Sequence, residues 1–104
     1  MELTSYIANF FAGAFLCNCI PHLTAGLRGE LFPTPFASPP GRGDSSAVVN
    51  VLWGTLNLVV AVGLLAWRPL LIGINLNSGL FLIAFLGLGI LMATHFQKVR
   101  AEKK

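Results

Sequence analysis

The stretch AVVNVLWGTLNLVVAVGLLAW, residues 47–67, decides the fold. Its 21 residues include no Asp, Glu, Lys or Arg, and roughly 20 mostly apolar residues are what a helix needs to cross a bilayer core. Ala47, Asn50, Gly54, Asn57 and Ala61 follow one another at spacings of 3, 4, 3 and 4. That sets small and amide side chains along one stripe of a helix, while Val, Leu and Trp fill most other positions. In lipid the hydrophobic effect does not drive helices together. Small residues admit close backbone approach and amides bond across the contact, so the stripe is a helix-packing face.

Two further segments meet the same criterion. Residues 3–23 supply 21 positions without a charge, and residues 70–96 supply 27. The latter is longer than a span requires and begins LLIGINLNSG, with Asn75, Asn77 and Ser78. The expected span is 77–96, with 69–76 as a bent or interfacial lead-in. The first segment carries a related stripe of Ser5, Ala8, Ala12 and Cys19, with Phe15 filling the remaining position. The third offers only Gly89 and Ala93, with Gly87 nearby. Because its stripe is the longest and most regular, the second helix is expected to be the one most buried by protein.

Composition agrees with a bilayer. Hydrophobic residues make up 55% of the 104-residue chain and charged residues 11%, against about 25% charged in a soluble domain. The expected architecture is a single all-α transmembrane domain over residues 1–104 with three spanning helices. The N-terminal apolar run has Glu2 and no preceding Lys or Arg, which argues against a cleaved signal peptide.

Between the first two spans lies GLRGELFPTPFASPPGRGDSS, residues 26–46, and four of the six prolines fall within 33–40. Proline fixes φ and removes a donor, so this loop is expected to be an extended strap rather than helix or sheet. Phe32 and Phe36 are its candidate docking residues, resting on a membrane surface or on a partner. Asp44, Ser45 and Ser46 offer N-cap oxygens to the second helix.

Three spans put the termini on opposite sides. Of seven Lys/Arg, Arg28 and Arg42 lie in the loop, Lys98, Arg100, Lys103 and Lys104 close the chain, and Arg68 stands apart. The positive-inside rule therefore predicts an external N-terminus and a cytoplasmic strap and C-terminus. Cations beside an apolar helix mark a membrane-proximal end, so no nucleic-acid partner is expected.

The segment FLCNCIPHL, residues 15–23, is where metal or redox chemistry would be sought. On a helix Cys17 and Cys19 are about 200° apart and do not share a ligand position. Cys19 extends the small stripe, as a buried thiol acting as a small hydrophobe does. Pro21 predicts a kink or helix end there, with His22 at the boundary. His22 and His95 fall at similar depth, and a haem or metal between them is the sharpest speculative reading. The expected cofactor set is nonetheless none, and the four acidic residues are scattered outside the spans, so no enzyme is expected.

The segments IPHLTAGLRGE and FPTPF have the look of a small bacterial membrane protein, which sets the expectation of a bacterial cytoplasmic membrane. The expected function is a non-enzymatic accessory or structural subunit, with lipid and other membrane subunits or its own copies as partners. A homo-oligomeric transporter or channel lined by Asn50, Asn57, Asn75 and Asn77 is the alternative. Against it, no ionisable Asp, Glu, Lys or Arg lies within a span.

Overall fold

A computed structural model describes residues 2–103, leaving Met1 and the basic Lys104 outside it. The chain forms helices α1 (Glu2–Leu27), α2 (Ala47–Trp67) and α3 (Leu76–Glu102), with short strands β1 (Phe32–Pro33) and β2 (Asp44–Ser45) in the first loop. All three helices are long and apolar enough to cross a membrane. The long axis of 46 Å matches a bilayer with its headgroup regions, about 40–45 Å.

α1 is the hub. It packs against both α2 and α3, which share no comparable interface with each other. Nine of its residues are buried, from Ala8 to Gly26, against Asn50, Gly54, Asn57 and Ala61 in α2 and Ala84 and Val99 in α3. The expectation that α2 would be the most buried helix is therefore corrected. α2 has one small face, whereas α1 has two. A side-chain carbon at Gly54 of α2 would stand 3.0 Å from the Leu23 amide nitrogen and 3.2 Å from the Cys19 carbonyl. On the other side, Gly13 lies against the Phe81 backbone, and a side-chain carbon at Gly89 would meet Cys17 Sγ at 3.5 Å.

α1 also runs through Pro21 instead of ending there. Proline withdraws one amide donor but does not forbid a helix whose last turns are held by other contacts. Here Thr24 Oγ1 donates to the carbonyls of Ile20 and Pro21 at 2.8 and 3.1 Å, and Gly26 packs on Ala47 and Val51. The helix closes two turns later. Gly29 adopts φ 74°, Glu30 N donates to Ala25 O at 2.9 Å and Gly29 N to Gly26 O at 3.0 Å. This double bond around a left-handed glycine is a Schellman closure.

The strap is not a simple extended segment. Phe32 pairs with Ser45 and Pro33 with Asp44 in a short antiparallel ladder. Between them, Thr34 O accepts from the amides of Ala37 and Gly41, and Pro39 O accepts from Arg42 and Gly43. The expectation of an extended strap without helix or sheet is corrected by this ladder and by these turns, which proline and glycine favour by fixing and relaxing φ respectively. Residues 68–75 form the lead-in to α3, whose first turn is capped by Asn75 Oδ1 accepting from Ser78 N at 2.8 Å.

Candidate functional site: the cavity beneath the strap

Three polar pairs tie α1 to its neighbours. Asn9 Nδ2 donates to Asn77 Oδ1 of α3 at 3.0 Å. Asn18 Nδ2 donates to Asn57 Oδ1 of α2 at 3.0 Å. His22 Nδ1 lies 2.8 Å from Asn50 Oδ1 of α2. Each α1 residue stands on a helical position that the two small faces bring against a partner helix.

The strap end is the most elaborate. Asn50 is fully buried, and its Nδ2 reaches the carbonyls of Phe32 at 2.9 Å, Ser46 at 3.0 Å and Ser45 at 3.3 Å. Carbonyls accept and do not donate, so the amide nitrogen must face them and Oδ1 must face His22. His22 therefore donates through Nδ1–H, and in the neutral ring its Nε2 carries the lone pair. The imidazole sits edge-on to Phe32 and Trp53, with centroids 5.4 and 6.3 Å away.

The same logic orders two more groups. Asn57 Nδ2 donates to Trp53 O at 2.8 Å, so Asn57 Oδ1 is the acceptor for Asn18, whose own Oδ1 faces away from that bond. His95 Nε2 lies 2.8 Å from Gly41 O, so it is the protonated nitrogen and Nδ1 holds the lone pair of the neutral ring. A cavity of about 270 Å³ lies between strap and helices and is lined by Asn18, His22, Thr34, Trp53, His95 and Phe96, among others. Thr34 is buried, its hydroxyl 2.5 Å from Ser45 Oγ. The Trp53 indole N–H is buried with no hydrogen-bond partner.

The strap is fastened to α3 at its outer side. Arg42 pairs with Glu102, and Lys103 Nζ lies 2.7 Å from Asp44 Oδ1. Nearby, the Arg28 guanidinium hydrogen-bonds Glu30 and holds its carboxyl below the usual carboxylate range.

The residues singled out in the sequence are distributed as follows. Asn50, Gly54, Asn57 and Ala61 are buried against α1, with Ala47 half-buried at the start of the stripe; Ala8, Ala12 and Cys19 are buried and Ser5 half-buried. Phe32 turns inward against His22 and Phe96, the latter at 4.7 Å, while Phe36 stacks edge-on to Trp53 at 5.0 Å and stays 67% exposed. The turn at 34–37 separates the two rings, which an extended chain would have kept together. His22 and His95 line one cavity, yet no group of three His, Cys, Asp or Glu among the described residues is placed to hold a metal. Asn50, Asn57, Asn75 and Asn77 each meet a different partner. Asn9, Thr34 and Trp53 went unsingled in the sequence; Asn9 alone carried a signal, as an amide inside a charge-free span.

Compared with protein-family models, with curated proteins and with solved structures, the chain finds no match.

Proposed function

We propose that this chain is a non-enzymatic subunit of a multi-pass membrane assembly, with its strap and C-terminus in the cytoplasm of a bacterial cell. The observation that carries the reading is the use made of the intramembrane amides. Asn9, Asn18 and Asn57 each bond to a group of the same chain, as do His22 and Asn50. Amides committed to interhelical bonds fix which faces meet, which favours a scaffold over a conducting path. α3 leaves the broadest surface for another subunit, since only Ala84 and Val99 are buried in its 27 residues. Six of the seven Lys/Arg fall on the strap side, which supports the orientation.

Purification in mild detergent tests the reading. The chain should elute with other membrane proteins or with copies of itself, and a lone 11.1 kDa chain would overturn it. Reporter fusions at the two termini check orientation independently, and a cytoplasmic N-terminus would sink that part.

A further inference from the structure

The cavity beneath the strap has a chemistry that helix packing does not require. Its hydrogen-bond directions follow from backbone carbonyls, as above, and they leave three acceptors outside those bonds: Asn18 Oδ1 and, in the neutral rings, His22 Nε2 and His95 Nδ1. His22 is 2% exposed and fixed through Nδ1 to Asn50, so the direction of its lone pair is set, while Asn18 and His95 are half-buried. Trp53 lines the same wall with its ring, while its unpartnered indole N–H is buried away from the accessible surface. A ligand that donates to these acceptors gains selectivity over one that does not.

We propose that this cavity is a binding site for a neutral, planar ring bearing a hydroxyl group, the phenol class. A hydroxyl donates a hydrogen bond without carrying a charge, so it answers the imidazole lone pairs. An ammonium only donates, and no Asp or Glu lines the cavity to balance its charge; burying an uncompensated charge is costly. A carboxylate only accepts and would oppose the acceptor atoms. The walls set the shape. Trp53, Phe96, Pro33, Pro35, Leu91 and Met92 are apolar and in part flat, and ligand sites are mostly apolar with a few placed polar groups. The volume sets the size. About 270 Å³ exceeds the roughly 150 Å³ in which an apolar cavity takes up benzene, which leaves room for one or two substituents. This inference concerns the chain alone and stands whether or not it joins an assembly.

The test uses the full chain in lipid nanodiscs, with empty nanodiscs subtracted for partitioning into lipid. The chain holds two tryptophans, and Trp67→Phe leaves Trp53 as the fluorescent reporter. Titration with 4-methylphenol should give a saturable change in Trp53 emission, and 1,4-dimethylbenzene, in which a methyl of similar size replaces the hydroxyl, should bind about tenfold more weakly. Met92→Trp, read by calorimetry, should abolish binding by filling the cavity while helix content and elution volume stay unchanged. His95→Phe removes the Nδ1 acceptor together with the bond that Nε2–H donates to Gly41 O, and should narrow the preference for the phenol. Equal affinity for the two compounds, tighter binding of benzylamine, or no saturable signal in a folded protein would each overturn the proposal.

Discussion

His22 Nδ1 and Asn50 Oδ1 stand 2.8 Å apart, and that contact joins the end of α1 to the start of α2 and, through the Asn50 amide nitrogen, to the strap. Replacing Asn50 by Ala strips His22 of its partner and removes the side-chain donor from the carbonyls of Phe32, Ser45 and Ser46, of which Ser46 O keeps the backbone amide of residue 50. The expected loss is about 1–3 kcal/mol, read as a lower unfolding midpoint in detergent. The strap should also become more sensitive to protease than in the wild type. Unchanged cutting would show that the strap is held by its own turns.

Gly54→Leu should disrupt the α1–α2 contact inside a single chain. Its first side-chain carbon would approach the Leu23 amide nitrogen to 3.0 Å and the Leu23 Cγ to 2.8 Å, and backbone cannot yield as a side-chain tip can. Overpacking of this kind costs about 1–3 kcal/mol. Gly63→Leu and Gly87→Leu are the controls, since nothing lies within 4 Å of a side-chain carbon at either. A helix-content and thermal-stability comparison separates them.

The ion pairs at the end of α3 should matter little. Arg42–Glu102 and Asp44–Lys103 are all more than a third exposed, and such pairs contribute at most about 1 kcal/mol each. Glu102→Ala with Lys103→Ala should raise strap proteolysis slightly, and high salt should do the same to the wild type through screening. A large effect would mean that the strap depends on these ends more than on Asn50 and Phe32.

Cys17 and Cys19 are free thiols, 5% and 4% exposed. Neither should react with a maleimide in the folded protein, and both should react after denaturation. Gly89→Val, pressing on Cys17 Sγ, should expose that thiol first, whereas Gly89→Ala meets it at an ordinary 3.5 Å.

The helices were legible in the sequence because charge-free runs of 21 residues admit few alternatives in water or lipid. The α2 stripe was legible for the same local reason, since Asn50, Gly54 and Asn57 must share a face whatever they touch. What they touch was not. The hub position of α1 depends on Gly13 and Cys17 meeting α3 while Cys19 and Leu23 meet α2, a relation between helices that no spacing within one of them contains. The helix end that Pro21 offered as one alternative did not form, because proline's local preference was outweighed by bonds to α2 and by the Gly29 closure. Thr34 and Trp53 gave no signal because their burial is produced by the strap folding back, a non-local event.

Helix to helix, α2 and α3 meet essentially only through α1, and at one end of the molecule the strap bridges the two, bonding to Asn50 of α2 and meeting His95, Phe96 and Glu102 of α3. Faults on the two sides should then accumulate independently: a double variant such as Gly54→Ala with Phe81→Ala should show stability losses that sum, with little interaction energy between the sites. It also sets an order of construction. The α1–α2 hairpin contains a complete contact by itself, so it can form before α3, whose arrival then closes over the strap through His95, Phe96 and Glu102.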